Sequence, residues 1–219
     1  MKHSLVKVAP AVEPVSLTEA KTQLRIDSSD TSYDTEITGL ITAARQWIEQ
    51  RFGISLITQT RTQKQDQLYE RYPIYRNFLG PYYSRTTLGL LYPPVQSITS
   101  FKYIDTDGNQ QTFTAYTAQG LTTPRVGALD IETPRLYPNV TWPVFKWIPD
   151  AIEIEYVCGY GDDATYVPEV IKIAIKMVLS HFFENRMEEI TGDRVSKFEM
   201  SIDRVMASFE NFQHVGVYA

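Results

Sequence analysis

The chain has 219 residues, 43% of them hydrophobic, an ordinary share for a folded protein that excludes wholesale disorder. Against 26 acidic residues stand 21 lysines and arginines, a formal net charge of -5, which is the wrong sign for a protein that grips nucleic acid by neutralising phosphates. A single cysteine, Cys158, excludes an internal disulfide and a cysteine-based zinc site and fits a reducing compartment.

Residues 1–15 read as an extended arm without the apolar run of a signal sequence, and no later stretch reads as a membrane span. A soluble protein made in the cytosol is expected. Ser16-Leu17-Thr18-Glu19 has capping-box spacing: the Ser16 side chain can satisfy one amide of the first helical turn, and Glu19 can reach back to another. The short helix it opens ends near Arg25 or Ile26, before a polar loop. From about Asp34 to Phe52, Ile37, Leu40, Ile41, Ala44, Trp47 and Ile48 recur at steps of three and four, and Gly53 is placed to stop the helix.

At Leu56 the period changes to two. Ile57, Gln59, Arg61 and Gln63 alternate with Thr58, Thr60, Thr62 and Lys64, as in a threonine-rich strand. Residues 69–83 hold Pro73, Gly80, Pro81 and many aromatics without a period, and read as a long loop whose rings either fold back on the sheet or meet a partner. Leu88–Tyr92 and Val95–Ile104 read as strands. Asp105-Thr106-Asp107-Gly108-Asn109 reads as a hairpin turn, and Gln110–Tyr116 as the returning strand. Arg125–Glu132 and Ala151–Cys158 complete the set, joined by an irregular, proline-rich connection holding Trp142 and Trp147.

Val167–Arg186 is the most apolar helix candidate. Its polar residues, Glu169, Lys172, Lys176, Ser180 and Glu184, trace one narrow stripe, so the helix is expected to be central and packed on several sides. After a charged loop, Ile202, Val205, Met206, Phe209 and Phe212 return to helical spacing. One-sided helices at the two ends of a chain need each other as cover. The expected fold is therefore α+β: a helical bundle formed by N- and C-terminal helices, with an inserted antiparallel β-rich domain. The expected boundaries are 1–53 for the arm and first helices, 54–165 for the insertion, and 166–219 for the long helix and C-terminal arm.

Catalytic patterns are lacking. His3, His181 and His214 have no metal-ligand spacing, and there is no nucleophile elbow, phosphate loop or dinucleotide fingerprint. The acidic turn at 105–109 has its glycine fourth rather than sixth, with Tyr116 at the twelfth position, so a hairpin outweighs a calcium loop. Glu153 and Glu155 share one strand face and read as a solvated surface. Cys158, between apolar neighbours, reads as packed rather than reactive. No catalytic residue, cofactor or metal is expected. Arg71, Arg76 and Arg85 among tyrosines form the one basic-aromatic cluster, a pattern that could touch single-stranded nucleic acid, although the acidic total favours a protein contact.

Four stretches in order carry a resemblance. They are Glu13-Pro14-Val15-Ser16-Leu17-Thr18-Glu19-Ala20-Lys21 with Leu24–Asp27; Ile41–Glu49 with Gly53 and Leu56–Thr60; Pro93–Ser100 with Tyr103 and Asp107-Gly108; and Ala151–Gly161 leading to Val167-Pro168 and His181–Arg186. Together, over roughly residues 13–187, they resemble the head–tail connector (adaptor) proteins of tailed bacteriophages, the gp6-like group and its gp8-like relatives. The tyrosine-rich stretch at 69–83 and the tail after Arg186 depart from that pattern.

The resemblance implies a non-enzymatic virion protein, assembled in the host bacterial cytoplasm. It implies a homo-oligomeric ring, usually of twelve copies, under the portal protein. Such a ring extends the DNA channel, lets DNA pass without sequence-specific binding, and docks a stopper or tail protein. No membrane partner is implied. On the amphipathic spacing of the C-terminal segment, Phe198, Met200, Ile202, Val205, Met206, Phe209 and Phe212 are the candidate portal contacts, in the manner of a helix laid in a groove; closing the bundle is their other use. Tyr69, Tyr72, Tyr75, Tyr82 and Tyr83 are the candidate contacts to a neighbour or the tail side. The alternatives are another multimeric tail-completion protein or a nucleic-acid-binding module.

Overall fold

A computed structural model describes residues 2–66, 88–122, 124, 134–184 and 201–206. The fold is α+β with antiparallel sheets. The chain divides into two compact units: a sheet unit of Met1–Ala9, Gln59–Thr122 and Glu132–Cys158, and a helical unit of Pro10–Thr58, Thr123–Ile131 and Gly159–Ala219.

In the helical unit, α1 (Leu17–Leu24) starts at Ser16 with both halves of the capping box formed, and the left-handed Arg25 ends it. Helix α2 (Asp34–Phe52) ends at Gly53, whose φ of 62° is the left-handed stop that glycine adopts without steric cost. Helix α3 (Glu169–Glu184) packs on both. The core joins Ile37, Ile41, Ala44 and Ile48 of α2 to Ile171, Ala174, Ile175, Val178 and Leu179 of α3, with Val15, Ile54, Leu56, Ile57 and Tyr160 around them. Residues 201–206 are helical, and Ile202 and Met206 belong to the same core.

Burial of α3 is more one-sided than its sequence suggests. Ile173, expected inside, is 46% exposed, whereas Lys172, counted in the polar stripe, is buried. Among the described residues, the neighbouring helices cover one side of α3. The Lys172 stem lies along that covered side while its ammonium reaches Glu169 at 2.7 Å, so a lysine serves as apolar packing with a solvated tip.

In the sheet unit, β1 (Lys2–Val8), β2 (Gln59–Gln65), β4 (Val95–Ile104), β5 (Gln110–Thr112) and β8 (Ile152–Cys158) form an antiparallel sheet in the order β1-β2-β8-β4-β5. A three-stranded sheet has the order β3-β7-β6, from β3 (Leu88–Gly89), β6 (Tyr116–Gln119) and β7 (Arg135–Pro138). Phe101, Ile152, Ile154, Tyr156, Cys158 and Leu136 form the core, with Phe113, Tyr116 and Trp142 packed on Phe101.

Two expectations change here. The N-terminal stretch, taken as an arm of the bundle, is strand β1, paired with β2 from Lys2↔Gln65 to Val8↔Thr60. The stretch Leu5–Val8, with β-branched Val6 and Val8, completes a sheet rather than a helix pack. The proline-rich connection contains β7, and the returning strand after the hairpin breaks into β5 and β6. Expected strand Arg125–Glu132 lies outside the described residues.

Candidate functional site

Among the described residues, the acidic, thiol and phenol groups singled out by the sequence and by burial are engaged structurally. Among the described residues no group of three or more His, Cys, Asp or Glu gathers in metal-binding geometry. Glu153 pairs with Lys64 at 3.3 Å and Glu155 with Lys7, so both carboxylates are spent on the outer face of the sheet. Cys158 is buried and its thiol donates to the Gln59 carbonyl at 3.6 Å. The Asp105 carboxylate accepts from the Gln111 side chain and from the amides of Asn109 and Asp107. These bonds hold its acidity below the usual carboxylate range, Gln111 first, and close a hairpin rather than a calcium loop. Burial drives the Tyr156 hydroxyl far above its ordinary range; it donates to the Leu91 carbonyl at 2.7 Å and lies 3.2 Å from the Ser4 hydroxyl. A shallow groove of about 440 Å³ beside α1 is lined by Thr18, Glu19, Thr22, Gln23, Arg25 and Lys176, too polar and open to enclose a small apolar ligand.

Two buried ionic knots stiffen the helical unit. Arg45 donates from Nε to Glu13 and from a terminal nitrogen to Glu49, both at 2.8 Å, and the other Glu49 oxygen accepts the Leu56 amide at 2.9 Å. This clasps the approach to α1, the middle of α2 and the chain leaving α2. Lys21 bonds the carbonyls of Ser28 and Asp30 and pairs with Asp34, fixing the α1–α2 loop. In the sheet unit, the buried Gln63 bridges to the Gly89 carbonyl and the Leu91 amide, and the Arg61 guanidinium stacks 3.6 Å over the Tyr92 ring. A polar layer of this kind gives β2 a unique register at the cost of desolvation.

The described surface carries exposed apolar residues in two places. On β1, an edge strand, Leu5 is 59%, Val6 45% and Val8 56% exposed. In the connection after β7, Val140 is 87%, Val144 76% and Trp147 72% exposed. That connection is not loose: the Lys146 amide donates to the Ile104 carbonyl at the end of β4, the Asp150 amide donates to Asp66, and Pro138, Pro143 and Pro149 restrict the backbone. Exposed apolar residues gathered on one tethered segment are the kind of feature that marks protein contacts, and tryptophan is enriched among the residues that dominate such contacts.

Of the candidate portal contacts, Ile202 and Met206 are buried in the helical core and Val205 packs at its edge. Phe198, Met200, Phe209 and Phe212 lie outside the described residues, as do Tyr69, Tyr72, Tyr75, Tyr82, Tyr83 and the Arg71–Arg76–Arg85 cluster. Sequence reasoning overlooked the apolar residues of β1 and the Val140–Trp147 surface. The alternating Lys2-His3-Ser4-Leu5-Val6-Lys7-Val8 carried a strand signal, whereas the exposure of the connection had no periodic signature.

The fold is similar to chains in solved assemblies of a gene transfer agent. One is in the neck of the empty particle, computed with C6 symmetry: TM-score 0.62, 17% identity, 88% of each chain covered. Another is in the virion of the native particle: TM-score 0.62, 16% identity, 94% of each chain covered. A third is in the neck of the native particle, computed with C12 symmetry: TM-score 0.53, 16% identity, 94% of each chain covered. No curated protein matches the sequence. The family model described as head completion protein matches residues 14–197, from just before α1 through α3 and beyond, and the chain belongs to the head completion protein family.

Proposed function

We propose that this chain is the repeating subunit of a ring, of twelve copies, that sits beneath the portal of a filled head, continues the DNA channel and docks a stopper or tail protein. The observation that carries this reading is the head completion family match across residues 14–197. The similarity of fold to chains in necks computed with cyclic symmetry supports the ring. The net charge of -5 suits a conduit, because a wall that bound phosphates tightly would retain DNA instead of passing it.

Within this reading the C-terminal segment contacts the portal, through Phe198, Met200, Phe209 and Phe212, while Ile202 and Met206 hold the segment to the helical core. The tyrosines at 69, 72, 75, 82 and 83 face a neighbouring copy or the tail side. Two tests follow. Particles produced without this chain should accumulate as DNA-packed heads without tails, and restoring it should restore the joined particle; tailed particles made in its absence contradict the assignment. Removal of residues 207–219, which spares the core residues Ile202 and Met206, should abolish attachment to portal-bearing heads with the thermal transition retained; full attachment by the truncated chain contradicts the portal contact.

A further inference from the structure

We propose that β1 of one copy docks along the free edge of β5 in the next copy, so that the five-stranded sheets join edge to edge around the ring. This rests on the ring reading above and names the surface that makes it. A cyclic assembly of more than two subunits needs two different surfaces on each copy, repeated head to tail. The described residues offer such a pair as the two ends of one sheet.

At one end, β1 pairs only with β2, which leaves the other edge of His3–Val8 without a strand partner among the described residues. Natural edge strands are usually guarded by charge, proline, bulges or brevity, and β1 has two of these guards, its lysines and its bulge, yet keeps apolar side chains between them. This one is seven residues long, and the bulge between Val6 and Val8 leaves Leu5 and Val8 on one face and Val6 on the other, all three largely exposed. At the other end, the three-residue β5 is exposed at every residue and, among the described residues, pairs only with β4. Each strand in the order β1-β2-β8-β4-β5 runs antiparallel to the next. With an odd number of strands, β1 and β5 therefore run in the same direction. A rotation about a ring axis brings them together as a parallel pair, whereas two copies of β1 could pair antiparallel only about a two-fold.

Side-chain chemistry complements this geometry. Strand β1 opens with Lys2 and carries no carboxylate, while the turn before β5 carries Asp105 and Asp107 and no base, and in a parallel pair those two ends lie together. The Asp105 acidity is held low by its hydrogen bonds, which keeps that carboxylate ionised. Beside the same turn, the Lys146 amide ties the Trp147 connection to the end of β4, which supplies an exposed indole for the apolar side chains of β1. Backbone pairing would give the contact its strength, and the charges its direction.

Engineered disulfides test this in assembled particles, because the lone native thiol, Cys158, is buried and silent. Thr112 pairs with Lys102, Lys102 with Glu153, Glu153 with Lys64 and Lys64 with His3, which places Thr112 on the sheet face that Leu5 also occupies. Particles carrying Leu5→Cys together with Thr112→Cys, mildly oxidised, should give a ladder of covalent dimers and higher oligomers in denaturing gels. Either substitution alone should give none. A ring visible by electron microscopy with no ladder from the double variant overturns the edge contact and leaves the ring reading standing. Dimers from Leu5→Cys alone overturn it in favour of a two-fold contact. Particles with no cyclic copies of the chain remove the ring reading and this contact together.

Discussion

Gly159 stands where no other residue fits. Its φ is +124°, and a Cβ there would lie 2.5 Å from the backbone of Ile57. The approach is fixed by two ladder-like bonds, from the Tyr160 amide to the Leu56 carbonyl and from the Thr58 amide to the Gly161 carbonyl. Gly159→Ala is expected to cost at least about 2 kcal/mol in urea unfolding, from left-handed strain added to a backbone clash. Gly39 is the internal control. It lies inside α2 with nothing within 4 Å of a built Cβ, so Gly39→Ala should stabilise by about 0.5–1 kcal/mol. Equal effects at the two glycines would contradict this account. Arg45→Met is a third case: it leaves Glu49 buried without its guanidinium, and a loss of about 3–5 kcal/mol is expected by the same unfolding measurement.

Helix ends and helix faces behave differently as elements. At the start of α1, the Ser16 hydroxyl and amide both donate to Glu19 and hold its carboxyl below the usual carboxylate range. A depressed folded-state value means that the contribution is present above the unfolded carboxylate range and is lost as pH falls through the folded one. Acid titration of the native chain should therefore show this increment disappearing on the acid side, and Ser16→Ala, which costs about 1 kcal/mol at neutral pH, should reduce it, because the amide of residue 16 still donates to Glu19. An unchanged acid limb in that variant would contradict the capping role. In α3 the contrast is between faces. Ile175→Ala should cost about 2–5 kcal/mol, as a cavity in a closed core does, while Ile173→Ala, at an exposed position, should stay within about 0.5 kcal/mol.

The same contrast shows what could be read in advance. Capping residues, glycine stops and the three-four spacing of α2 are local rules written within a turn or two, so α1 and α2 emerge close to their expected bounds. The hairpin at Asp105 is local too. Ile173 could not be placed, because an apolar residue is exposed or covered according to how many neighbours the tertiary structure supplies. Lys172 misled for the converse reason: a charged name hides four methylenes. Strand β1 was missed because its pairing partner, β2, lies more than fifty residues along the chain. The exposed Val140–Trp147 surface is invisible to periodicity altogether, and its rigidity is fixed by tethers to Ile104 and Asp66.

At the scale of the whole molecule, the chain keeps apolar side chains in water that a free-living monomer would be expected to cover: Leu5 and Val8 on an edge strand, and Val140, Val144 and Trp147 on a braced connection. The chain belongs to the head completion family, and the proposed ring would cover some of them. Salt dependence separates that context from nucleic-acid binding. Any association of the chain with duplex DNA should be weak and without sequence preference, and a tight complex with a steep salt slope in a mobility-shift assay would contradict the conduit reading.

The most direct measurement is the cryo-electron microscopy reconstruction of the head–tail junction in particles carrying a labelled chain, computed without imposed symmetry. The account predicts a closed ring of twelve labelled copies around the DNA path on the tail-facing side of the portal. A single copy, or label distributed away from the junction, would contradict it.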